Sequence, residues 1–127
     1  MESRKNKKIN KRGTNIKMKS IYVGFIDKKL KKEFEDLKSK KFQDQELYKF
    51  IDGAMDDMKK NPSCGIKIPK KLWPRVYIQK YKITNLWKYD LPNGWRLIYT
   101  INTDEIKILS IILEWLNHKE YERKFKY

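Results

Sequence analysis

The chain contains one cysteine, Cys64, and one histidine, His118, among 127 residues. A single thiol excludes an internal disulfide. The two residues together are too few to build the usual zinc or iron sites. Glycine is scarce, at five residues, and none of them sits in a Gly-rich phosphate loop or a G-x-S-x-G nucleophile elbow. No apolar run approaches the roughly 20 residues of a membrane span, and no apolar block follows the basic start. Neither a membrane segment nor a signal peptide is therefore expected, and low cysteine usage points to a reducing cytoplasm. Acidic residues are outnumbered, 16 against 31 Lys and Arg. Asp52, Asp56 and Asp57 read as the wet face of a helix, so a two-metal carboxylate nuclease is not expected. No metal site and no cofactor is expected.

What the chain has instead is positive charge and aromatic rings. The formal net charge is +15 and 13% of residues are Phe, Trp or Tyr. Residues 1–19 hold eight basic residues, one acid and almost nothing apolar, which predicts a flexible basic N-terminal arm. That arm carries +7, leaving +8 on residues 20–127, a length suited to one domain. Such an excess points to a polyanionic partner, RNA or the ribosome before a membrane surface.

Residues 86–127 organise the rest. Residues 86–90 and 95–101 are aromatic and β-branched, with Pro92-Asn93-Gly94 between them to supply the positive φ of a tight hairpin. A second turn at Asn102-Thr103-Asp104 leads into residues 105–114, where Ile108 to Leu113 read as a central strand covered on both faces. A polar, charged helix follows from Asn117. Upstream, residues 20–26 form a strand, and Asp27 caps a helix over 28–38. Residues 43–60 form a second helix with Leu47, Phe50, Ile51, Ala54, Met55 and Met58 on one stripe. Residues 64–84 are broken by Pro69 and Pro74, and 76–82 read as either a short helix or an extended piece. The order predicts an α+β fold: an N-terminal strand and two-helix hairpin packed on one face of an antiparallel sheet, then a C-terminal helix.

With metal chemistry set aside, RNA cleavage needs a base for the 2′-OH, a cation for the charge on the phosphorane and an acid for the leaving oxygen. Arg96 alternates onto one strand face with Ile98 and Thr100, opposite Trp95, Leu97, Tyr99 and Ile101. A sheet arginine paired with Asp90 or Glu114 is the purely structural reading. Histidine is the residue type whose unperturbed pKa lies nearest neutrality, which singles out His118, and Tyr121 follows it by three residues on the same helical face. Tyr121 is equally suited to packing the helix on the sheet. Lys67, Lys70, Lys71 and Arg75 are interleaved with Trp73, Tyr77 and Tyr81. With Lys88, Lys119, Arg123 and Lys124 they make up the expected RNA contacts.

Trp95-Arg96-Leu97-Ile98-Tyr99 on one strand, with His118-Lys119-Glu120-Tyr121 after the last, resembles the RelE/ParE toxin superfamily. The order of elements from Ser20 onward is similar as well. The resemblance implies a small basic cytoplasmic toxin with a cognate antitoxin as partner, acting without metal as an endoribonuclease on mRNA at the ribosome. It implies that Arg96 holds the scissile phosphate and that His118 and Tyr121 belong to the active site. Where RelE-like nucleases place paired lysines this chain has Trp87 and Tyr89, with Lys88 between them on the opposite face. A non-catalytic RNA- or ribosome-binding factor on the same fold stays open beside the nuclease.

Overall fold

The computed structural model describes residues 7–9, 15–17 and 19–126. Strands β1 (Lys7–Ile9) and β2 (Asn15–Lys17) pair as a short antiparallel ladder. Of the expected N-terminal arm, residues 1–6, 10–14 and 18 lie outside the described residues.

Strand β3 (Ser20–Phe25) leads into α1 (Lys28–Asp36), whose first turn is capped by Asp27 Oδ1 accepting from Leu30 N at 2.8 Å. A 3₁₀ turn over Leu37–Ser39 reverses the chain into α2 (Phe42–Lys60). The apolar stripe of α2 faces inward: Leu47, Ile51, Ala54 and Met58 are buried, and Phe50 and Met55 pack beside them. Asn61 and Pro62 end the helix before β4 (Ile66–Lys67). Residues 76–82, open between helix and extended chain, resolve as helix α3 (Arg75–Tyr81), which starts after Pro74 and ends where Lys82 turns left-handed at φ 51°. Proline before the first turn costs no hydrogen bond, because those N–H groups have no helical acceptor.

Strands β5 (Trp87–Asp90), β6 (Arg96–Thr103) and β7 (Lys107–Leu116) form the expected meander, and α4 (His118–Phe125) closes it. At the β5–β6 turn Asn93 has φ 62° and Gly94 φ 80°, as the Pro-Asn-Gly sequence demands. Helix α4 starts with a capping box, in which Asn117 Oδ1 accepts from Glu120 N and Glu120 Oε1 accepts from Asn117 N.

The five strands lie in the order β3-β7-β6-β5-β4. The sheet is mixed, not antiparallel: β3 runs parallel to β7, and the other pairs are antiparallel. No tight turn joins β3 to its partner, so nothing local in the sequence sets its direction. The helices also occupy both sheet faces instead of one. On one face α1 and α2 cover Leu97, Tyr99 and Ile112, while on the other α3 and α4 bring Tyr77, Tyr121 and Phe125 against Leu86, Ile98 and Leu116. The two-sided apolar pattern of β6 and β7 requires this second cover, since a bare apolar face would stay in water.

A bulge in β7 adjusts the second face. Ile98 pairs with Glu114, but Tyr99 pairs with Ile112, leaving Leu113 as the extra residue. Leu113 and the adjacent Glu114 consequently both look toward α3 and α4. Simple alternation cannot reveal that. Tyr99 ties the α2–β4 connection to the sheet: its hydroxyl donates to Pro62 O at 2.8 Å and accepts from Gly65 N at 3.1 Å.

Candidate functional site

The face covered by α3 and α4 carries the sequence-derived site. Asp90 lies directly across the β5–β6 ladder from Arg96, and Lys88 sits two residues earlier on that same face. Lys88 Nζ is 3.0 and 3.2 Å from the two Asp90 oxygens. Arg96 Nε lies 3.0 Å from Asp90 Oδ1, close enough for ion pairing but without hydrogen-bond alignment. One Arg96 Nη donates to Gly94 O at 2.9 Å, which fixes the guanidinium against the hairpin turn. Both cationic side chains are less than one-fifth exposed, and Asp90 is 46% exposed. The structural reading of Arg96 as the partner of Asp90 is thus met, and Glu114 is engaged elsewhere.

Tyr121 lies beneath these cations. Arg96 Cζ is 5.2 Å and Lys88 Nζ 5.6 Å from its ring centroid, within cation–π range. The ring is 2% exposed and stacks on Phe125 at 4.6 Å. Tyr121 therefore belongs to the core side of α4 and not to a solvent-facing side. His118, one turn earlier, is 58% exposed, with Nε2 3.1 Å from Glu122 Oε2. It stands beside the hairpin turn, where a Cβ added to Gly94 would come within 3.3 Å of His118 Cβ. Arg96, Lys88 and Tyr121 come together, with His118 at the rim.

Trp87 and Tyr89 point the other way. Trp87 packs on Tyr99, and the Tyr89 hydroxyl donates to Asp57 on α2, which pushes the phenol up to about 12. Side chains at 87 and 89 cannot reach Arg96, whereas Lys88 does. The sheet cation comes from the residue between the two positions that counting along the strand selects.

A second polar cluster adjoins the first. Glu114 Oε2 accepts from the Tyr77 hydroxyl on α3 and from Lys124 Nζ on α4 at 2.9 Å. Burial, with the Glu114 carboxylate next, pushes the Tyr77 phenol far above its ordinary value. Glu114 entered the sequence reading only as a possible partner of Arg96, and its bond to Tyr77 was not foreseen. The strand bulge at Leu113 and the packing of α3 against β7 that join them have no local sequence signature.

The basic residues expected to contact RNA divide into groups. Lys71, Arg75 and Lys124 line one cleft with Trp73 and Phe125. Lys67 on edge strand β4 and Lys70 in the following 3₁₀ turn are exposed but do not line that cleft. Lys119 and Arg123 are exposed on α4. Among the described residues no helix is long and apolar enough to cross a membrane. Comparison with family models, with curated proteins and with solved structures gives no match for this chain.

Proposed function

We propose that this protein is a RelE-like toxin: a metal-free endoribonuclease that cuts mRNA, in the cytoplasm and at the ribosome, and is held in check by a cognate antitoxin. The observation that carries this reading is the convergence of Lys88 and Arg96 over the Tyr121 ring, with His118 at the edge of the same surface. A phosphodiester entering there takes the place of the exposed Asp90 carboxylate as counter-anion. Arg96 and Lys88 then face the oxygens on which charge builds in the phosphorane, where preorganised cations contribute most. Tyr121 positions them from below.

His118 is the group suited to proton transfer, as an exposed imidazole beside the turn that anchors Arg96. Attack of the 2′-oxygen on phosphorus breaks the bond to the 5′-oxygen, leaving a 2′,3′-cyclic phosphate and a 5′-hydroxyl end. One proton leaves the 2′-OH and one is delivered to the departing oxygen. The +15 net charge brings the polyanionic substrate to this face and makes binding sensitive to salt.

The pairing of Asp90 with both cations favours a second reading, a factor that binds RNA without cutting it. Primer-extension mapping of mRNA in a translating extract, with the protein added and a chelator titrated to the limit that translation tolerates, separates the two. Discrete cuts indifferent to the chelator are expected. Uncut mRNA with slowed translation would leave the binding factor.

A further inference from the structure

Residues 71–75 and the last turn of α4 enclose a cleft of about 710 Å³, inside the roughly 300–1,000 Å³ range of small-ligand sites. Its lining includes Lys71, Trp73, Arg75, Lys124, Phe125 and Lys126, with no carboxylate among the lining residues. Among the described residues Lys71, Arg75 and Lys126 form no ion pair, so three cations remain for an outside anion. Lys124 is the exception and is held by Glu114. The Trp73 indole N–H donates to Ile68 O at 2.8 Å. That bond satisfies the ring's polar edge and fixes its plane while the ring stays half-buried. A fixed aromatic ring among unpaired cations matches an unpaired nucleotide, whose base stacks and whose phosphates take the charges. Duplex RNA keeps its bases stacked inside and offers nothing to the indole.

The cleft is on the sheet face that carries Arg96, and Lys124 connects the two: it lines the cleft and binds Glu114, whose ladder partner Ile98 is two residues from Arg96. We propose that this cleft is a subsite for one splayed-out nucleotide of the single-stranded RNA whose backbone crosses Lys88 and Arg96. The proposal deepens the RNA-directed reading and rests on it.

The test uses the full chain and a ten-nucleotide single-stranded RNA bearing 2′-O-methyl groups, which block attack by the 2′-oxygen. Fluorescence anisotropy follows binding of wild type, of the triple variant Lys71→Ala/Arg75→Ala/Lys126→Ala, and of Lys88→Ala/Arg96→Ala. The triple variant changes exposed side chains only, so its fold is expected to persist. It should bind at least tenfold more weakly, with the slope of log affinity against log salt reduced by about two, from roughly 0.7 per single-strand phosphate contact. Wild-type tryptophan emission should be quenched on binding, Trp73→Phe should lose much of that quenching, and a duplex of equal length should cause none. Unchanged affinity of the triple variant, with Lys88→Ala/Arg96→Ala weakened, would overturn the subsite and leave the RNA-directed reading standing, with a protein partner as the cleft's remaining occupant. Equal quenching by duplex and single strand would overturn the stacking role of Trp73. No binding by wild type near physiological salt would overturn both readings.

Discussion

His118 and Tyr121 sit one helical turn apart, and the fold separates their roles. Tyr121 is a packing residue as well as a support for two cations, while His118 stands in solvent. Tyr121→Ala should therefore cost about 3–5 kcal/mol of stability, the range for removing a large buried ring. His118→Gln should stay within about 0.5 kcal/mol. Urea unfolding of the two variants checks this contrast, and a mild Tyr121→Ala would contradict the buried placement. Asp90 calls for a different experiment, because it balances Lys88 and Arg96 from an exposed position. Asp90→Asn should tighten RNA binding several-fold and steepen its salt dependence, since two cations lose their internal counter-ion. Weaker binding by that variant would mean that the carboxylate organises the cations more than it competes with RNA.

At the scale of elements, the connection from α2 into β4 depends on one close contact. A Cβ on Gly65 would lie 2.5 Å from Lys88 O and 2.7 Å from the Tyr99 hydroxyl. Backbone on one side and a fully buried ring on the other cannot give way cheaply. Gly65→Ala should destabilise by about 1–3 kcal/mol, measured as a shift in the urea midpoint. A neutral result would show that β4 is free to move away from β5. Much of the element order was legible in the sequence: the stripe from Leu47 to Met58, the Pro92-Asn93-Gly94 turn and the cap at Asp27 all encode their elements locally. The capping box Asn117-His118-Lys119-Glu120 was legible too, and would have fixed the start of α4. The direction of β3 and the bulge at Leu113 were not, because each depends on a partner strand distant in sequence. The same limit governs the site. Arg96, Lys88 and Tyr121 were named singly, but the Tyr121 ring beneath both cations follows from how α4 crosses the sheet.

Across the whole molecule, the tyrosines link the two cores to pH. Burial pushes the Tyr77 and Tyr99 phenols up, and the hydrogen bond to Asp57 holds Tyr89 at about 12. A phenol raised in the folded state favours folding below its unfolded value near 10. That contribution is lost as pH climbs through the folded value, so for Tyr89 the window runs from about pH 10 to about 12. Phenolate absorbance should show part of the eight tyrosines ionising together with unfolding in that window, not ahead of it. Smooth, complete ionisation near pH 10 with the fold intact would contradict the buried hydroxyl network. The same molecule holds Lys88 and Arg96 together over the Tyr121 ring, and the proposal of RNA cleavage depends on them. The most direct test compares wild type with Arg96→Ala on one mapped RNA, taking the single-turnover cleavage rate and the dissociation constant together. The expected result is a rate lowered about 100–1000-fold, the loss typical of removing one preorganised transition-state donor, with binding weakened less than tenfold. A rate that falls only as far as binding does, or does not fall at all, would contradict a role for Arg96 at the reacting phosphate.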